Sequence, residues 1–509
     1  MKTTLENDNL TVELMENPDV IVVGGGIGGL VSAGLLVRRG LKVLLLEKED
    51  KVGGYVTGFR QHGVYFDATG AFVAACLPGG EFHSLLSELG LEETLSFLPI
   101  GSVWNIFPDM NVRFNYSTPE AYIDVLRREF PEKITAMEAY ARQTRKMGAE
   151  FLAFETAGVW KRFFFPFYFP TLMRYARKSH QHILTKFFGE DARIHLALST
   201  LPTTLPPSLL SYAFVAVLWA KVLGSGVFYP KGGMQALSTA LAGVIKQNGG
   251  QIVCNCPVKK FITRRNKITG LKLSDGGVIS SRWVISNTNP FHADHLFQGK
   301  YRPYRGMYRF DRYKPSLSAV LFYVGLPKKA LPDDWPYFIS IHTTWNCEAM
   351  YTALQAGDMT KGLHLVITTP TVLDDSLGTK GAHSLKILVH APGYRNFINQ
   401  YAGPEAITGL RRHVFSMIRK HTGIDIESAA LFVETATPLT LMTRTGNENG
   451  AMYGLDAACG QVGPQRPPNR TRLSNLLWVG HYTRPSHGIV GSAMSGSFAA
   501  NIIRRKTGR

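Results

Sequence analysis

The chain has 509 residues, 45% of them hydrophobic, which excludes a disordered protein and predicts two or three domains rather than one core. A formal net charge of +18 favours anionic surfaces, nucleic acid and acidic lipid alike, yet no block of six basic residues marks an electrostatic tail. The five scattered cysteines read as reduced thiols, and the one close pair, Cys254 and Cys256, lacks the second pair a zinc site needs, so no metal is expected.

In chain order, the opening MKTTLENDNLTVELMENPD is polar and acidic, without the apolar core of a secretory signal. Residues 19–30, DVIVVGGGIGGL, then predict a buried parallel strand (20–23) running into Gly24-Gly25-Gly26-Ile27-Gly28-Gly29 and a helix over 30–38. Gly24 suits the tight turn, Gly26 a close backbone approach to a pyrophosphate, and Gly29 tight packing of helix on strand. The helix N-terminus offers N–H groups to phosphate. A second strand over 42–46 delivers Glu47, eighteen residues after Gly29, where a carboxylate can accept hydrogen bonds from a ribose diol. Strand, glycines, helix, strand and acid in this order predict an α/β, Rossmann-like dinucleotide site.

Past that unit, WKRFFFPFYFP (160–170) is followed by TLMRYARKSH (171–180). Seven of its eleven residues are aromatic, and Pro166 and Pro170 forbid a regular helix through it. Such a segment fills a core, stacks on single-stranded nucleic acid, or docks on a membrane. The apolar run LLSYAFVAVLWA (209–220) is too short to cross a bilayer and reads as a buried helix. GVFYPKGGMQALSTALA (226–242) predicts a turn and a helix over 235–246, ended by Asn248-Gly249-Gly250. Hairpin-like strands follow, returning to the parallel sheet at 283–286, and three alternating stretches (315–326, 362–369, 384–392) predict an antiparallel sheet. A last strand over 476–479 meets a glycine-rich turn and a C-terminal helix.

Several blocks resemble one family. Glu47-(x5)-Gly53-Gly54, then Gly63-x-x-Phe66-Asp67, Tyr229-Pro230-x-Gly232-Gly233-Met234, TGNENGAMYG (445–454) and the segment 475–503 are similar to phytoene desaturases, carotenoid isomerases and retinol saturases, within the amine-oxidase-like flavoproteins. The resemblance implies FAD, held by Gly24, Gly26, Gly29, Glu47, Lys48, Gly53, Gly54 and the backbone of Val258. It places Gly480 and His481 near the pyrophosphate and ribityl chain, and Gly488, Ile489 and Val490 near the isoalloxazine ring. His481 replaces an acid common in the family, and Arg484-Pro485-Ser486 replaces a histidine-bearing turn. His487 is the one titratable neighbour expected beside the ring and the sole candidate for a catalytic group.

The implied organisation is a discontinuous FAD domain (18–100, 226–300, 430–509) with an α+β substrate domain (101–225, 301–429). The implied reaction is desaturation, saturation or cis–trans isomerisation of an apolar conjugated polyene, carotenoid or retinoid-like, as in carotenoid biosynthesis, with the isomerase and saturase-like branch the nearer in motif. Two alternatives stand beside it: an amine-oxidase-type enzyme on a soluble amine, and a non-enzymatic prenyl-binding relative, for which eroded glycines are expected. With a flavoenzyme implied, nucleic acid is not an expected partner. Residues 160–178, with Lys161, Arg162, Arg174, Arg177 and Lys178, are then expected to dock on anionic lipid, making the protein peripheral to a membrane on its cytoplasmic or equivalent organelle face.

Overall fold

The fully buried runs VIVV and VLLL form the centre of a five-stranded, all-parallel sheet. Its order is Gln251–Val253, Val43–Leu46, Val20–Val23, Trp283–Ser286, Leu476–Trp478, in a computed structural model that describes residues 4–7, 10–200, 204–297, 312–379 and 381–508. Helix Ile27–Arg38 packs against helices Met234–Gln247 and Gly488–Thr507. Its crossing with the last helix is close because both present glycine: a Cβ on Gly496 would stand 2.3 Å from the Gly28 carbonyl oxygen. A meander of Val258–Arg264, Lys267–Leu273 and Val278–Ile279 joins a second apolar cluster on this sheet.

A seven-stranded sheet forms the other half, in the order Asn111–Asn115, Ser102–Ile106, Phe338–His342, His364–Thr368, Ala382–Ala391, Ser318–Pro327, Phe432–Ala436. The pair 102–106 and 338–342 is parallel and the rest antiparallel. Strand alternation gives it two unlike faces. One carries Ile339, Ile341, Leu365, Ile367, Ile387 and Phe322, covered by Val414, Phe415 and Ile418 of helix Pro404–Thr422. The other looks into a large cavity toward the parallel sheet. The strand Phe432–Ala436 lies at the edge of this seven-stranded sheet, so the chain re-enters the dinucleotide half after that strand, not at 430. Residues 301–311, placed in the substrate half from sequence, lie outside the described residues.

Helices Ile134–Thr156 and Tyr212–Leu218 line the cavity's side, the latter running into a π-helical turn, Trp219–Leu223, and helices Pro119–Glu129 and His180–Phe188 pack against Ile134–Thr156. Tyr140 and Trp219 are buried edge to face at 5.4 Å. The aromatic segment forms three short helices, Val159–Phe163, Phe165–Tyr168 and Pro170–Tyr175, broken at Phe164 and Phe169. Its rings divide between inward-packed and exposed positions. Phe165 and Phe169 turn in against Phe154, at 5.4 and 5.5 Å between ring centroids. Trp160, Phe163 and Phe167 are 77%, 75% and 84% exposed. Among the described residues no helix is long and apolar enough to cross a membrane.

Candidate cofactor and substrate site

A cavity of about 950 Å³ runs from the C-terminal ends of the parallel strands to the front of the seven-stranded sheet, at the edge where doubly wound folds take ligands. Its floor at the first turn is bare backbone. Gly24 has φ +97°, and a Cβ on Gly26 would stand 2.5 Å from Asn287 Nδ2. On Gly480, with φ +98°, a Cβ would stand 2.6 Å from Asn287 Oδ1. Gly29 differs from its neighbours: it does not line the cavity, and its missing Cβ, which would lie 2.1 Å from the Gly24 carbonyl, allows helix and strand to close up.

The second loop is tied to the first, since Gly53 N–H donates to the Gly25 carbonyl at 2.9 Å. Gly53 and Gly54, at φ +131° and +58°, turn the chain back under the glycine loop. Glu47 is buried at the cavity wall and accepts from the N–H groups of Gly25 (2.5 Å) and Glu49 (3.0 Å). Burial raises its carboxyl above the ordinary value, against the pull of those two N–H groups. Lys48 reaches across the rim, donating to the Thr443 carbonyl at 2.6 Å. Val258 opens its strand on the same wall, beside Cys256 and Pro257.

Asp67 is the knot between motifs that lie far apart in sequence. Its carboxylate accepts from Tyr65 Oη (2.9 Å), Tyr229 Oη (2.7 Å) and the Met234 N–H (2.8 Å). Burial raises this carboxyl, with Lys386 and the donors opposing. Lys386 Nζ donates to the carbonyls of Thr69 (2.9 Å) and Gly70 (2.6 Å), and burial brings it down to about 8. Gly233 must be glycine here: φ is +89°, and a Cβ would stand 2.4 Å from the Tyr65 ring. The TGN block closes on the same wall, where Asn447 Nδ2 donates to Tyr55 Oη at 3.2 Å.

The final turn carries the remaining predicted residues. Gly488 (φ +79°) begins the last helix, and Gly488, Ile489 and Val490 line the cavity with their first-turn N–H groups free of intrahelical partners. His481 packs on Tyr55 and Tyr482, and burial, with Arg466 adding, brings it down to about 3. Arg466 is fully buried and donates to the carbonyls of Thr483, Gln461, Leu455 and His481. His487 sits between Phe214 and Tyr453, at 4.9 and 5.0 Å, with Nε2 3.8 Å from Asp456 Oδ1. Burial, Arg466 and His481 hold its imidazole neutral.

One cavity thus gathers Gly24, Gly26, Glu47, Lys48, Gly53, Gly54, Val258, Gly480, His481, His487, Gly488, Ile489 and Val490. Sequence reading missed Asn287, one residue past the strand Trp283–Ser286, against which Gly24, Gly26, Gly28 and Gly480 are all set. The signal available was its position at the end of a buried parallel strand. The residues fit FAD: a side-chain-free cradle at a helix N-terminus, a carboxylate at the end of the second strand, and a second helix N-terminus across the cavity.

Fold and cradle define a dinucleotide-binding flavoprotein. The chain belongs to the flavin containing amine oxidoreductases, whose family model matches residues 27–370, and it is accordingly a flavin oxidoreductase with FAD as its cofactor. It is 26% identical to a 4,4'-diapophytoene desaturase (4,4'-diapolycopene-forming) of Methylomonas sp, over 96% of this chain and 95% of that protein. It is 24% identical to a lycopene-forming phytoene desaturase of Pantoea ananas, over 95% and 98%. It is also 23% identical to prolycopene isomerase 1, chloroplastic, of an Oncidium hybrid cultivar, over 98% and 85%. An oxidoreductase from Methanosarcina mazei shares the fold at a TM-score of 0.63, with 17% identity over 95% of this chain and 99% of that one.

Proposed function

We propose that this protein is an FAD-dependent enzyme of carotenoid biosynthesis that desaturates, saturates or isomerises an apolar conjugated polyene. The observation that carries the reading is the lining of the cavity beyond the cofactor cradle. Phe72, Val73, Ile100, Val103, Phe151, Phe214, Val217, Leu218, Val227 and Phe338 form a wall suited to a hydrocarbon. FAD, when bound, supplies hydride exchange at its ring. The chain's own part is to bind, orient and exclude water. The glycine turns would hold its phosphates, Glu47 would accept from its ribose, and the N–H groups in the first turn of the last helix would serve its ring. Lys386 holds the 69–70 segment on the cavity wall through its two carbonyls.

The aromatic segment supplies the way in from a membrane. Phe151, on the cavity wall, is one helical turn from Phe154, which packs on Phe165 and Phe169. Beyond these, Trp160, Phe163 and Phe167 are exposed, with Lys161, Arg174, Arg177 and Lys178 around them. Apolar rings with a basic surround suit an anionic headgroup layer, so the protein docks there peripherally. The side chain of Arg162 lies outside the described residues.

An amine substrate is separated by spectroscopy. Under anaerobic conditions, benzylamine or putrescine should leave the oxidised flavin band of the loaded protein unchanged. A cis-carotene in lipid vesicles should perturb that band. Bleaching by the amine alone would overturn the polyene reading.

A further inference from the structure

The cavity face of the seven-stranded sheet is built in rows, which its register makes explicit. One row runs Val103, Phe338, Thr368, Lys386, Tyr323, and the next Asn105, Ser340, Val366, Leu388, Leu321. His342 pairs with His364 in a third row, and the same register sets His390 opposite His364 and beside Ala319. Three histidines on three adjacent strands therefore share one end of the face, roughly 14 Å along the strand from Lys386.

They are joined in a chain. Ser340 Oγ lies 3.1 Å from His342 Nε2 and 2.9 Å from His364 Nε2. His364 Nδ1 lies 3.2 Å from His390 Nδ1. His364 has thus used both ring nitrogens, whereas His390 Nε2 has no hydrogen-bond partner among the described residues, and His390 lines the cavity. Nearby, Asn105 also lines the cavity and its Oδ1 is without a partner. Among the described residues no set of three donors is placed to hold a metal ion.

A hydrocarbon gains nothing from this wall, where leucine or valine would bury more apolar area and leave no imidazole to satisfy. We propose that the histidine row, through His390 Nε2, binds a neutral oxygen at one end of the substrate, so that the polyene carries a terminal hydroxyl or carbonyl. The inference rests on the polyene reading above and narrows it. Burial keeps the three rings neutral, His342 down to about 3, His390 to about 4 and His364 well below its ordinary range. A neutral row suits an uncharged oxygen and offers a carboxylate no cation. With Ser340 and His364 fixing the ring from behind, His390 presents Nε2 as donor or acceptor, whichever tautomer the chain adopts.

The test compares binding of 4,4'-diapolycopene, its terminal alcohol and its terminal aldehyde to the FAD-loaded protein in detergent micelles, read from the shift of the polyene absorption band. The oxygenated probes should bind about three- to tenfold more tightly, the worth of one hydrogen bond. His390→Leu should erase the preference, with the hydrocarbon bound at least as tightly as in the wild type because the new side chain buries more apolar area, and His390→Gln should keep part of it. Equal affinities in the wild type would overturn the inference without any variant and leave the polyene reading standing, as would a preference that survives His390→Leu. Binding of none of the three would overturn both.

Discussion

At Gly26 the site tolerates backbone and nothing else, because the space a side chain would take is already held by Asn287. Gly26→Trp should therefore yield protein without a flavin absorbance band, with circular dichroism near that of the wild type and a lower melting temperature. Full flavin occupancy in that variant would contradict the cradle. Such glycines are legible in sequence because their requirement is local: strand, turn and helix N-terminus sit within a dozen residues. Asp67 was legible as part of a motif, but its three donors come from Tyr65, Tyr229 and Met234, and only the fold brings them together. The row His342, His364, His390 was not legible at all. Its spacings follow no helix or strand period, and only the lengths of the intervening connections set the register that aligns them.

Among the elements, the strands and helices of the dinucleotide half matched their sequence signals to within a few residues, since full burial leaves continuous apolar runs. The aromatic segment had a composition that fitted three environments, and its division into inward and outward rings depends on where helix Ile134–Thr156 presents Phe154. Because Trp160 and Phe167 are exposed, the pair Trp160→Ser and Phe167→Ser should change stability by no more than about 0.5 kcal/mol. The same double variant should lose most of its co-sedimentation with anionic vesicles at low salt. Undiminished sedimentation would remove these rings from the docking surface.

For the whole molecule, burial of histidines sets the response to acid. His180, His342 and His481 are brought down to about 3, and His390 to about 4, each by burial first. An imidazole that stays neutral when folded but takes a proton once unfolded favours the unfolded chain as pH falls below about 6.5. Stability present at neutral pH is therefore lost on acidification toward pH 4. Glu47, Asp67 and Asp456, raised by burial, act in the opposite sense, so a single-site comparison isolates the effect. His180→Gln should flatten the dependence of unfolding free energy on pH between 6.5 and 4 by about 1.4 kcal/mol per pH unit. Parallel pH profiles for variant and wild type would contradict a neutral, buried His180.

The two halves meet at one cavity. The most direct measurement is chromatography of a cis-carotene supplied in lipid vesicles to the FAD-loaded protein, held anaerobically with the flavin oxidised in one arm and chemically reduced in the other. A changed desaturation or isomer pattern in at least one arm is the predicted result. An unaltered chromatogram in both arms, from protein that retains its flavin, would contradict the assignment of this flavoprotein to polyene chemistry.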